Sequence, residues 1–346
     1  AVAALGEAGG MICLLPGTYE VAASIVGVEL TAPVTVIGLG DSPADVIVQP
    51  ATGSATRLFT LSNAVARVAN LTMRNGKPGK AEKDDYLHSS GGNVLIYTEG
   101  GCVENCILRD GSTSTTWSAG GGNAALMGGT LRNCELIGGR NNVNAHDQWV
   151  QGGGSLMVNQ IVRESTVTIE NCLIRDCTYG TAPVALYAHG GLTMKNCTVA
   201  NCTGAETGGF YVNNKVYGTA TLPQIVNCAV FGTARGTNGK TEATTYEDVC
   251  KIVPTYRNKA YNRILTEEQL AQCFVNCASA NATLGTAAWG WLATSTPGFT
   301  DAANGDYTLT ATSPLADCNG TYVGYVPYVA PHEPKFKFKG TVVIFR

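Results

Sequence analysis

The chain has 346 residues, with 42 glycines, 14% charged residues and a net charge of −3. Nothing in that balance suggests nucleic-acid binding, and no apolar run approaches the ~20 residues a helix needs to cross a membrane. Abundant Gly, Asn, Thr, Ala and Val suit short strands and tight turns rather than long helices.

In chain order, Ala1 to Ala8 read as a short amphipathic helix, within a cap of residues 1–11. Placed over the first coil of a stack, such a helix protects an open strand edge. Strands follow at Val34-Thr35-Val36-Ile37 and Val46-Ile47-Val48. The segment Val68-Ala69-Asn70-Leu71-Thr72-Met73 then opens a repeat. Its copies are Val103-Glu104-Asn105-Cys106-Ile107-Leu108, Leu131-Arg132-Asn133-Cys134-Glu135-Leu136, Ile169-Glu170-Asn171-Cys172-Leu173-Ile174, Met194-Lys195-Asn196-Cys197-Thr198-Val199 and Ile225-Val226-Asn227-Cys228-Ala229-Val230. Phe274-Val275-Asn276-Cys277 is a degenerate copy. Successive Asn residues from 70 to 227 are 35, 28, 38, 25 and 31 apart. A constant pattern with an elastic period indicates a solenoid whose loops absorb insertions.

Apolar residues stand two before the Asn, directly after it and two further on. Two short alternating strands joined at a bend on Asn produce this pattern. Asn tolerates the left-handed backbone that a tight bend requires. Stacked Asn side chains can also form an amide ladder. A third strand is introduced by glycines, as in Gly91-Gly92-Asn93-Val94-Leu95-Ile96 and Gly121-Gly122-Asn123-Ala124-Ala125-Leu126. The expected fold is therefore all-β, a parallel β-helix with three short strands per coil over residues 12–326. Residues 233–273 break the rhythm and read as a loop with a short helix at Thr266-Glu267-Glu268-Gln269-Leu270-Ala271. Residues 327–346 read as a tail: an edge strand, a linker or a docking arm.

The opening Leu14-Leu15-Pro16-Gly17-Thr18-Tyr19, with Val34-Thr35-Val36-Ile37-Gly38-Leu39-Gly40, resembles the first coils of the pectate-lyase-like right-handed parallel β-helix superfamily. The Gly-Gly strands and Asn-Cys turns resemble its bacterial surface members, including the polymorphic outer-membrane proteins. Pro297-Gly298-Phe299-Thr300-Asp301, Gly305-Asp306-Tyr307-Thr308-Leu309 and Ser313-Pro314-Leu315-Ala316-Asp317 resemble their closing coil. The resemblance implies a right-handed solenoid at a bacterial cell surface or outside the cell. It is specific for fold and silent on chemistry, since one fold hosts many functions.

The thirteen cysteines are an odd number, so at least one is unpaired within the chain. The pairs Asn105–Cys106, Asn133–Cys134, Asn171–Cys172, Asn196–Cys197 and Asn227–Cys228 form the expected structural ladder, its thiols stacked inward at ~4.8 Å. Cys177 and Cys202 share a second offset, compatible with a surface bridge. No Cys-x-x-Cys exists and the four His are scattered, so zinc is not expected.

Candidate carbohydrate-binding residues lie in loops that enter the third strands: Asp84, Asp85, His88, Trp117, His146, Asp147, Trp149 and Tyr179, with Glu206 further on. Aromatic rings offer flat apolar faces to sugars, and carboxylates accept hydroxyl protons or hold calcium. Asp84, Asp85 and Asp147 are the calcium candidates; no other cofactor is implied. A lyase would add an Arg or Lys base, for which Arg109 and Lys195 are available. A hydrolase would need two carboxylates about 5–9.5 Å apart, and the neighbours Asp84 and Asp85 point apart in extended chain. Ala188-His189-Gly190-Gly191 matches the polygalacturonase Gly-His-Gly only in part, and the other catalytic signatures of the lyases, polygalacturonases and pectin methylesterases are missing. The expected function is thus an extracellular structural or adhesive solenoid, a subunit of a surface fibre or layer, with copies of itself or other surface proteins as partners. The alternative is a polysaccharide-active enzyme, lyase or hydrolase, or a carbohydrate-binding module.

Overall fold

A computed structural model describes residues 2–24, 26–79, 89–113, 120–141, 152–159, 165–178, 180, 182–187, 191–213, 216–217, 222–235, 249–253, 262–263, 266–280, 291–318, 320–327 and 341–345. Three long parallel sheets dominate, with ten, ten and eight strands among the described residues. Eight successive coils each donate one strand to each sheet, so the chain is a parallel β-solenoid. In one representative coil, Cys102–Glu104 lies in the first sheet, Ile107–Arg109 in the second and Ala124–Leu126 in the third.

The alternation predicted around each Asn is what fills the interior. In the first sheet Ile12, Val36, Val68, Val103, Leu131, Ile169, Met194, Ile225 and Phe274 stack in one register column. In the second, Val48, Met73, Leu108, Leu136, Ile174, Val199 and Val230 do the same. These side chains are buried in one continuous core. Each contributes ~1.5–3 kcal/mol by leaving water, and stacking them coil on coil lets a long chain share one core.

The bends explain why Asn recurs. Asn70, Asn105, Asn133, Asn171, Asn196, Asn227 and Asn276 all have φ between 49° and 54°. That left-handed conformation costs most residues ~1–2 kcal/mol, whereas Asn visits it routinely. A second column of left-handed residues lies five positions further on, after each second-sheet strand: Asn75, Asp110, Gly138, Asp176, Asn201 and Gly232. At the third corner the coils approach backbone to backbone. A Cβ on Gly92 would sit 2.1 Å from the carbonyl oxygen of Gly122, and one on Gly122 would sit 2.4 Å from that of Gly154.

The N-terminal cap and the insertion depart from expectation, while the tail takes the edge-strand alternative. The N-terminal helix is only Val2–Leu5, stopped by Gly6 at φ +57°, and it packs on the strand Val28–Leu30. Residues 233–273 are more than a loop with a helix. Cys250–Val253 is a full third-sheet strand paired with Phe210–Asn213, and the helix Glu267–Cys273 starts on the Thr266/Gln269 capping box. In the tail, Thr341–Phe345 returns to the first coil and pairs in parallel with Gly10–Leu14.

Candidate functional site: stacked ladders and covered faces

The bend Asn side chains are joined along the axis. Nδ2 of Asn105 donates to Oδ1 of Asn70 at 2.9 Å, and Asn171 donates to Asn133 at 2.9 Å. Asn227 donates to Asn196 at 3.1 Å and Asn276 to Asn227 at 3.0 Å. Each backbone N–H points the other way: that of Asn133 donates to the Glu170 carbonyl and that of Asn171 to the Lys195 carbonyl, both at 2.9 Å. Asn70, Asn105, Asn171 and Asn227 therefore each hold the coil before by the side-chain amide and the coil after by the main chain. A second amide ladder lies buried at the third corner. There Asn93 Nδ2 donates to Asn123 Oδ1 and Asn123 Nδ2 to Ser155 Oγ, each at 2.9 Å. The Gly-Gly-Asn spelling contained this ladder, and its period is the signal that finds it.

The thiols after the bends point into the core. Sγ of Cys106, Cys134, Cys172, Cys197, Cys228 and Cys277 each lies 3.4–3.9 Å from a main-chain carbonyl oxygen of the preceding coil. Burial pushes the thiols of Cys134, Cys197 and Cys277 well above their ordinary range, so they stay protonated. Cys177 and Cys202 form a second inward pair, both free and fully buried. The surface bridge considered for them does not form, because the left-handed residues Asp176 and Asn201 turn the next side chain inward. All thirteen cysteines are free, and Cys102 alone among them is only half-buried. Native protein should therefore leave nearly all thiols silent to Ellman's reagent, with Cys102 slow, and denatured protein should release thirteen. Several fast native thiols, or fewer than thirteen on denaturation, would contradict this packing.

The three outer faces differ. On the first sheet, Glu104, Arg132, Glu170 and Lys195 stand in one column with alternating sign. Arg67 and Arg132 both pair with Glu104. On the third sheet the outward column is Leu95, Ala125, Met157, Ala185 and Tyr211, all buried. Burial, and then the charge of Glu206, push the Tyr211 hydroxyl up out of the titrating range. These buried side chains, four aliphatic or thioether and one tyrosine, offer a sugar neither an exposed ring nor a carboxylate.

On the second sheet the outward positions turn apolar toward the C-terminal coils: Leu173, Ala200, Ala229, Phe231 and Ala278. A strap from residue 297 to 327 covers them. Phe231 meets Phe299 edge-on at 5.6 Å, and Phe299 meets Tyr307 at 5.1 Å. The strap then descends the bend ladder coil by coil. Gly324 N–H donates to the Asn227 carbonyl, Tyr325 N–H to Thr198 Oγ1, and Val326 N–H to Asn171 Oδ1, each at 2.8 Å.

Of the candidate carbohydrate-binding residues, Asp84, Asp85, His88, Trp117, His146, Asp147, Trp149 and Tyr179 lie outside the described residues, as does His189. The three calcium candidates are among them. Glu206 is half-buried beside the third sheet. Among the described residues no group of three His, Cys, Asp or Glu side chains is placed to hold a metal ion, and no helix is long and apolar enough to cross a membrane. No protein family, curated protein or solved structure matches the chain.

Proposed function

We propose that this chain is an extracellular structural or adhesive solenoid of the pectate-lyase-like superfamily, a subunit of a fibre or layer on a bacterial cell surface. The observation that supports this reading most is the axial continuity of its bonding. Three parallel backbone ladders and two amide ladders run along one axis, and the polar side chains at two of the three corners act as cross-links between coils. Load applied along such an axis is shared by many hydrogen bonds at once, each worth ~0.5–1.5 kcal/mol net. The outer face of the first sheet adds paired charges of both signs, which suit lateral contact with a like surface.

The test is immunogold electron microscopy on cells that make the protein, with a binding and cleavage screen on acidic polysaccharides. Ordered label at the cell surface and no unsaturated or hydrolysed product are the expected results. Label confined to the cell interior, or turnover of a glycan by dispersed monomer, would overturn the reading.

A further inference from the structure

We propose that Gly10–Leu14 is a docking edge for the strand Thr341–Phe345 of a second copy of this chain, and that the chain's own strand is its resting occupant. The proposal rests on the structural reading above and names the contact by which subunits would join.

Strand order supplies the first argument. Within the first sheet the strands follow one another coil by coil from Phe274–Val275 back to Gly10–Leu14, and then the order jumps to Thr341–Phe345. Every other neighbour in that sheet comes from the adjacent coil. The added strand runs parallel and in continuous register over five residues, from Gly10 opposite Thr341 to Leu14 opposite Phe345. It occupies the place of a coil before the first. Five residues of unpaired strand edge are a template for any chain of matching pattern. Val343 stands in register with core-facing Ile12, and Val342 and Ile344 with Met11 and Cys13. Met11 and Cys13 belong to an outward apolar cluster with Ile37 and Ala69, so this end of the sheet is apolar on both faces, unlike the charged column further along. Among the described residues the same end has no comparable occupant in the second sheet, where Gly17–Val21 is an edge strand with a largely exposed surface.

Reach supplies the second. Val326 is fixed at the coil of Asn171. From the strand Val167–Glu170 to the added strand is six steps in the sheet order, or about 29 Å at ~4.8 Å per step. The fifteen residues from Val326 to Thr341 span up to ~50 Å when extended. The tether is long enough for the chain's own strand to arrive, with slack of about 20 Å. An identical strand from a neighbour makes the same bonds, which is the condition for exchange at low cost in free energy. The own strand holds the edge only by the higher effective concentration that a covalent link gives it, on the order of millimolar. Crowding of copies at a surface then favours exchange.

Sedimentation velocity on three full-length proteins tests this. Wild type should be monomeric when dilute and form oligomers as concentration approaches the millimolar range. Val343→Pro removes a strand N–H and clashes with the ladder; it should stay monomeric throughout, with circular dichroism confirming an unchanged β-signal. A chain lacking eight of residues 328–340 keeps a tether of at most ~24 Å, too short for its own edge, and should be oligomeric even when dilute. Two outcomes overturn the proposal. If wild type and the shortened chain are both monomeric at every concentration, exchange does not occur and the assembly reading falls with it. If Val343→Pro assembles like wild type, this strand is not the link, and the assembly reading survives without it.

Discussion

Gly92→Ala and Gly122→Ala should each destabilise the protein by about 3 kcal/mol or more and lower its melting temperature by roughly 4 °C or more. The new methyl at Gly92 meets the carbonyl oxygen of Gly122 at 2.1 Å, and that at Gly122 meets Gly154 O and Arg140 N at 2.4 Å each. These obstacles are backbone, so no rotamer change relieves them. The coils must part instead, and parting them also strains the buried bonds among Asn93, Asn123 and Ser155. Gly53→Ala is the control. Gly53 has φ +77° with nothing within 4 Å of its would-be Cβ, so only the ~1 kcal/mol left-handed strain applies. Differential scanning calorimetry of the three variants separates the effects. Equal losses at Gly53 and Gly92 would show that coil spacing is not what these glycines secure.

The second large effect is expected at Asn171, where the bend, the amide ladder and the strap meet. Its side chain donates to Asn133 Oδ1 at 2.9 Å and to the Val326 carbonyl at 2.7 Å, and accepts from Val326 N–H at 2.8 Å. Asn171→Gly keeps the φ of 51° at no steric cost but loses three hydrogen bonds, for about 2–3 kcal/mol. Asn171→Ala adds the left-handed penalty and should cost ~3–5 kcal/mol. Both variants should release the strap, so limited proteolysis should cut near residues 320–327 in the variants and not in wild type. A Gly variant as stable as wild type would remove the ladder and strap from the account. Equal stability of the Gly and Ala variants would remove the bend conformation.

The repeat itself made the solenoid legible. Its period-2 pattern around Asn assigns the strands of two sheets, and the Gly-Gly pairs assign the third. The inward Cys positions follow from the same alternation, since a residue directly after a left-handed bend turns back toward the interior. The second bend column is present in the sequence too, as an Asn, Asp or Gly five places after the bend Asn. Because it mixes three residue types it carries no fixed spelling, and without it Cys177 and Cys202 read as surface residues. The strap left a trace too, because the outward second-sheet positions change from Arg109 and Glu135 to Ala200, Ala229 and Phe231 where it lies. The return of Thr341–Phe345 to Gly10–Leu14 left none. Pairing between strands more than three hundred residues apart depends on where the stack ends, and no local pattern encodes that.

The most direct test of the central claim is the anomalous scattering of sulfur in a crystal of the native chain. Six peaks, from Cys106, Cys134, Cys172, Cys197, Cys228 and Cys277, should fall in one row with a spacing of about 4.8 Å, with Cys177 and Cys202 as a short second row. Peaks dispersed over several faces, or paired at the ~2.05 Å of a disulfide, would contradict the account.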